Sequence, residues 1–182
     1  MSKFSALLLM FTLIIASLAR ANATDGYEFS PPSGFTEERS ILQEGRSFVL
    51  KDLKGKTLAR LTAAVFTENG QIIDPIGAPP STAQMDRIFL LGRSSGLESL
   101  GFKKWSILSS KLARISGSDT FLYQVHGSYQ DPSKNVMSFI EWHYLRGSKS
   151  YQFGWTQKAT HLDETSIVYA NRALAGFKMR DQ

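Results

Sequence analysis

The sequence has no cysteine among its 182 residues. That excludes disulfide staples, a thiolate nucleophile, cysteine-ligated zinc and a lipoprotein anchor built on an acylated cysteine. It also lacks any long apolar run beyond Ala19, so nothing later supplies the ~20 apolar residues of a membrane-crossing helix. The phosphate-binding GxxxxGK[ST] loop, the dinucleotide-binding glycine fingerprint and the HExxH zinc motif are all missing. Internal repeats, low-complexity tracts and an interdomain linker are likewise missing.

What is present begins with MSKFSALLLMFTLIIASLARANA. A positive charge at Lys3, an apolar run from Ala6 to Ala19 and small residues at Ala21 and Ala23 compose a secretory signal peptide. Cleavage after Ala23 leaves residues 24–182, 159 residues, enough for one domain with its own core. A chain of that size needs no disulfides, so their absence agrees with export to a periplasm or beyond the cell. Removing Lys3 and Arg20 leaves 19 basic against 16 acidic residues. The basic residues are dispersed, which points away from nucleic acid.

The mature chain alternates in short strand-like runs. Tyr27 to Phe29 before SPPSGF reads as a short edge strand, since proline cannot donate to a ladder. Segments 35–42, 46–51 and 57–67 read as strands, the last, TLARLTAAVFT, as a central one. KDLKGK between the second and third is a solvated hairpin turn, and DPIGAPP is a loop. A helix is predicted from Ser81, which caps it while Gln84 reaches back in a capping box. Met85, Ile88, Phe89 and Gly92 share one face of it, and Leu97 and Leu100 extend that face. Gly92 and Gly96 either let the helix lie close to a sheet or break it. A four-stranded meander follows from Lys104, Asp119, Asn135 and Lys149, and a closing helix spans about Thr160 to Phe177.

The stretch IEWHYLRGSKSYQFGW, Ile140 to Trp155, holds five aromatic residues around a Gly-Ser turn. A two-residue turn pairs Arg146 with Lys149. The register then sets Tyr144 opposite Tyr151, Trp142 opposite Phe153 and Ile140 opposite Trp155, all on one face. Such a ladder is expected to be covered core, with an exposed or grooved platform as the alternative.

The other face of the hairpin carries Phe139, Glu141, His143, Leu145, Gln152 and Thr156. Glu141 and His143 project together, but a third metal ligand is lacking. His126 is placed opposite about residue 136, ~23 Å along the strand from His143. A hydrogen-bonded Glu and His on a sheet is therefore the favoured reading, with no metal and no cofactor expected. GRSSG, Gly92 to Gly96, matches the G-x-S-x-G expression with Ser94 as nucleophile. That elbow needs a strand before the serine, whereas a helical pattern precedes it here. The residues singled out for binding are Trp105, Glu141, His143, Gln152 and Trp155.

The order of elements resembles the PsbP-like superfamily. The likeness rests on an opening Y-x-F-x-P-P-x-G-F strand, a strand group, a helix containing FLLG, a long meander with G-S-x-x-F-L-Y after its first strand, and a last helix ending near AGF. One departure is Phe35, where many members have Trp. The superfamily includes the extrinsic photosystem II subunit of the thylakoid lumen and exported bacterial domains of the DcrB kind. The resemblance implies an α+β fold, an α/β/α sandwich with a central antiparallel sheet flanked by helices. It also implies an accessory, non-enzymatic role, and no family-wide catalytic residues carry over. The expected function is an exported domain that binds a protein partner or assembly in the cell envelope. The alternative is a binder of a small hydrophobic ligand between sheet and helix, and the distant one a serine hydrolase using Ser94.

Overall fold

A computed structural model describes residues 26–40, 45–67 and 80–180. The signal-peptide segment, residues 41 and 42 of the second predicted strand and most of DPIGAPP lie outside the described residues. The elements in chain order are β1 (Tyr27–Phe29), β2 (Phe35–Glu38), β3 (Gly45–Lys51), β4 (Thr57–Thr67), α1 (Thr82–Leu97), β5 (Lys103–Arg114), β6 (Phe121–Gln130), β7 (Val136–Arg146), β8 (Lys149–Gln157), α2 (Glu164–Leu174) and β9 (Phe177–Met179). A single 3-10 turn, Glu98–Leu100, follows α1.

Seven strands form one sheet in the order β2-β3-β4-β8-β7-β6-β5, and β1 pairs with β9 in a separate ribbon. Local turn chemistry sets the register. Gly147 adopts φ 56, and with Ser148 it joins Arg146 to Lys149, so Trp142 meets Phe153 and Ile140 meets Trp155 as the turn length predicts. At the β3–β4 turn the Asp52 carboxylate accepts from the backbone N–H groups of Lys54 and Lys56, and Gly55 takes φ 79. That is the solvated turn expected of KDLKGK. β4 has partners on both sides, β3 and β8, in keeping with its Ala, Val and Leu content.

Alternation along the strands separates two cores. Ile140, Trp142, Phe153 and Trp155 share one with Ala170 and Ala173 of α2 and with Tyr27, Phe29 and Phe177 of the ribbon. Tyr123, Val125, Phe139 and Leu145 share the other with Met85 and Phe89 of α1. The fold is thus a mostly antiparallel sheet with two helices. The aromatic ladder is covered, with Trp142 2% and Trp155 5% exposed. Burying each such side chain contributes about 1.5–3 kcal/mol.

Helix α1 starts as expected. The Gln84 N–H donates to Ser81 Oγ at 3.2 Å, and the Ser81 N–H donates to Gln84 Oε1 at 2.7 Å. Four expectations need correction. Ile88 is not on the buried face but 54% exposed, because Met85 and Phe89 already fill the contact with the sheet. Gly92 and Gly96 neither break α1 nor bring it close to the sheet, since a Cβ at either would meet nothing within 4 Å. The closing helix stops at Leu174, and Phe177 belongs to β9. The chain turns there at Gly176, whose carbonyl accepts from Ser30 N–H, and a Cβ at Gly176 would stand 2.4 Å from Ser30 O. β1 accordingly edges that ribbon and not the main sheet.

Candidate functional site

On the face of β7 away from the ladder, Phe139, Glu141, His143 and Leu145 follow one another. Their β8 partners are Thr156, Gly154, Gln152 and Ser150. The next strand, β4, adds Arg60, Thr62 and Ala64 to the same face, and β3 adds Ser47. Helix α1 contributes through the residues that follow Met85 at intervals of four. Phe89 enters the core, and one turn later Arg93 reaches the sheet.

Arg93 is the centre of the polar cluster. Its Nη2 donates to Glu141 Oε2 at 2.5 Å and lies 3.5 Å from Gln152 Oε1. The guanidinium stands over the Phe89 ring at 5.1 Å and the Trp105 ring at 5.7 Å, so aromatic faces also hold the cation. His143 Nε2 donates to the same Glu141 oxygen at 3.0 Å. Burial works to raise the Glu141 pKa, but the charge of Arg93 and the hydrogen bonds from His143 and Arg93 outweigh it and hold the carboxyl down to about 2. Glu141 is a fixed anion and not a proton shuttle at neutral pH. Tyr129 is pushed up to about 12, first by burial and then by the Glu141 charge.

Beside this cluster lies a pocket of about 80 Å³, lined among others by Arg60, Arg93, Trp105, Tyr129, Glu141, Gln152 and Thr156. Its floor is Gly154, where a Cβ would stand 2.7 Å from Thr62 Oγ1 and 3.3 Å from Glu141 Cγ. Trp105 stacks on Tyr129 at 4.3 Å to form an aromatic wall. Its indole Nε1 is buried and has no hydrogen-bond partner among the described residues.

Of the residues singled out from sequence, Trp105, Glu141 and Gln152 line this pocket. His143 is buried beside it, against Glu141 and edge-on to Phe89. Trp155 lies in the core on the opposite face of the sheet. Sequence reasoning missed Arg93 and Arg60. His126 pairs with Ile140, not with residue 136, because the β6–β7 turn closes between Asp131 and Asn135. That brings it nearer to His143 along the strand but puts it on the ladder side of the sheet, where it contacts Gln124. Among the described residues no group of three or more His, Cys, Asp or Glu is placed to hold a metal. Ser94 is an exposed residue inside α1, so GRSSG lacks the strand-to-helix turn that a nucleophile elbow requires.

No protein-family model and no curated protein matches the sequence. Solved structures do match. The solution structure of cyanobacterial PsbP, CyanoP, from Synechocystis sp. PCC 6803 aligns with TM-score 0.59 at 14% identity, covering 86% of this chain and 88% of that one. A protein of Bacteroides thetaiotaomicron aligns with TM-score 0.50 at 13% identity, and the match covers 86% of this chain but only 46% of that one. The fold is PsbP-like.

Proposed function

We propose that the mature chain is an exported, non-catalytic accessory domain that docks on a protein partner in the cell envelope. The observation that carries this reading is the fold shared with CyanoP along nearly the whole of both chains. The composition of the first 23 residues, that of a signal peptide, supports export. Among the described residues no helix is long and apolar enough to cross a membrane.

The ladder cannot serve as the docking face, because α2 and the β1–β9 ribbon share its core. Strand addition at β5 is disfavoured by its two register shifts and by Lys103, Lys104 and Lys111. The outer side of α1 is the better surface, with Ile88 54% and Leu91 60% exposed one turn apart. The test is capture of the tagged mature protein from its own envelope, crosslinked before lysis, beside an Ile88→Asp, Leu91→Asp variant. One protein enriched by wild type and lost by the folded variant is the expected result. Equal recoveries from both would overturn the docking surface, and no enrichment at all would overturn the accessory reading.

A second reading is favoured by the pocket itself. A small-ligand binder would use the Trp105 side of the sheet and not the ladder, whose side chains are packed. Native mass spectrometry of protein purified from its own envelope tests it through an added mass that Gly154→Leu abolishes while its amide spectrum stays dispersed; wild type without an added mass would overturn it.

A further inference from the structure

The ligand chemistry can be read from the groups that meet in the pocket. Arg93 makes its hydrogen bonds through Nη2 alone, toward Glu141 and Gln152, which leaves Nε–H and Nη1–H without acceptors among the described residues. Arg60 uses Nη1 toward Ser47 Oγ at 2.8 Å and Nη2 toward Glu38 at 3.5 Å, leaving Nε–H unused. The buried indole N–H of Trp105 is a further donor with no acceptor. Unpaired donors thus gather around the pocket, although of these only the Trp105 N–H is fully buried.

Charge points the same way. The ion-paired groups connected to the pocket are Arg60, Lys51 and Glu38 on one side and Arg93 and Glu141 on the other, with His143 against Glu141. Among the arginine, lysine and glutamate side chains three cations face two anions, which leaves one positive charge to be matched. A dianion would overshoot that balance next to Glu141, which is only 12% exposed. The remaining lining is divided, apolar along Leu97, Phe102, Trp105 and Tyr129 and polar along Thr62, Gln152 and Thr156. The 80 Å³ of space is several times what a single water needs, enough for a small organic group.

We propose that the pocket between α1 and the β4–β8–β7 face binds a small monocarboxylate with an apolar body, its carboxylate held by Arg60 and Arg93 and its body against the Trp105–Tyr129 wall. A carboxylate fits the planar guanidinium fork, and its single charge closes the local balance. The inference rests on the small-ligand reading and names its ligand class. It is independent of whether a protein docks on α1.

The experiment follows the three indole N–H resonances of the ¹⁵N-labelled mature protein while benzoate, the neutral isostere benzamide and inorganic phosphate are titrated separately. Trp105→Phe assigns the Trp105 signal, and Trp142 and Trp155, buried in the other core, act as internal controls. Benzoate should shift the Trp105 signal saturably and leave the other two in place. Arg60→Gln, with a dispersed amide spectrum, should weaken benzoate roughly ten- to a hundredfold, the worth of a charge-assisted hydrogen bond. Benzamide binding as well as benzoate would overturn the carboxylate assignment while keeping the small-ligand reading. Phosphate matching benzoate would overturn it in favour of a general oxyanion site. A Trp105 signal that no probe moves would remove both readings.

Discussion

Replacing Arg93 with Met should make stability depend on pH in a sense opposite to wild type. In the native protein Glu141 titrates at about 2 against an ordinary 4.5. Its depressed value contributes about 3 kcal/mol, fully present above pH 4.5 and lost as pH falls toward 2. Met keeps most of the stem that packs on Phe89 and Trp105 but removes the charge. Burial then acts on Glu141 opposed only by His143, and the folded pKa rises above the unfolded one. A buried carboxylate stripped of its partner costs about 3–5 kcal/mol at neutral pH. The penalty should shrink on acidification as the carboxyl takes up a proton, while the wild type loses its own contribution. Urea unfolding at several values between about pH 7 and pH 3, followed by tryptophan fluorescence, reads both trends. Other carboxylates titrate in both proteins, so the difference between the two curves isolates Glu141. A gap below about 1 kcal/mol at neutral pH, the worth of a surface ion pair, would refute the reasoning. So would a gap that stays constant on acidification. Adding Glu141→Gln to Arg93→Met should recover much of the loss, because no buried charge then remains.

Gly127→Ala should prevent native packing of β5 on β6, since its Cβ would stand 2.2 Å from Ser106 O and 2.5 Å from the Phe139 ring. A loss of several kcal/mol in thermal unfolding is expected, and a loss under about 1 kcal/mol would contradict the close approach. Ser81→Ala removes the helix cap and should cost about 1 kcal/mol by urea unfolding, with no effect on benzoate titration. Trp155→Ala should cost about 3–5 kcal/mol yet leave the Trp105 indole resonance responsive to ligand, because the two side chains occupy different cores. Ser94→Ala should shift stability by less than about 0.5 kcal/mol, as expected for an exposed site, and change no activity of the protein.

The hairpin and the helix start were legible because each is fixed by a few neighbouring residues. Gly147 and Ser148 determine which residue faces which across β7 and β8, and Ser81 with Gln84 determines where α1 begins. The end of α2 was misread because Phe177 keeps helical spacing with Leu174 and Ala170. The stop signal was Gly176, where Ser30 passes too close for any side chain. His126 was misplaced because the loop after β6 was drawn four residues too short; the ladder resumes at Gln130 and Val136. Arg93 was hidden for a different reason. Its partner Glu141 is 48 positions away in sequence, and no local pattern joins them. A signal did exist, since Met85, Phe89 and Arg93 share one helix face. A cation on an otherwise apolar stripe calls for a buried acid, and Glu141 was the acid already placed on the facing strand.

The alternation of β7 has a consequence for how function should be sought. Its even-numbered residues Ile140, Trp142 and Tyr144 pack with the ladder core, while Glu141 and His143 face α1. Substitutions in the ladder therefore report on folding. A loss of binding in Trp142→Ala or Trp155→Ala would say that the sheet had lost its backing, not that a contact had gone. The groups available to a ligand are those that the sheet's other half leaves uncovered by apolar packing, from Arg60 on β4 to Gln152 on β8. They are held in place by the Arg93–Glu141–His143 cluster and not by the aromatic core. Arg60 is 30% exposed against 15% for Arg93, so it can be changed without stranding a buried charge. Arg60 is thus the residue at which binding and stability separate most cleanly, and a variant there that folds and fails to bind would locate the function on this face.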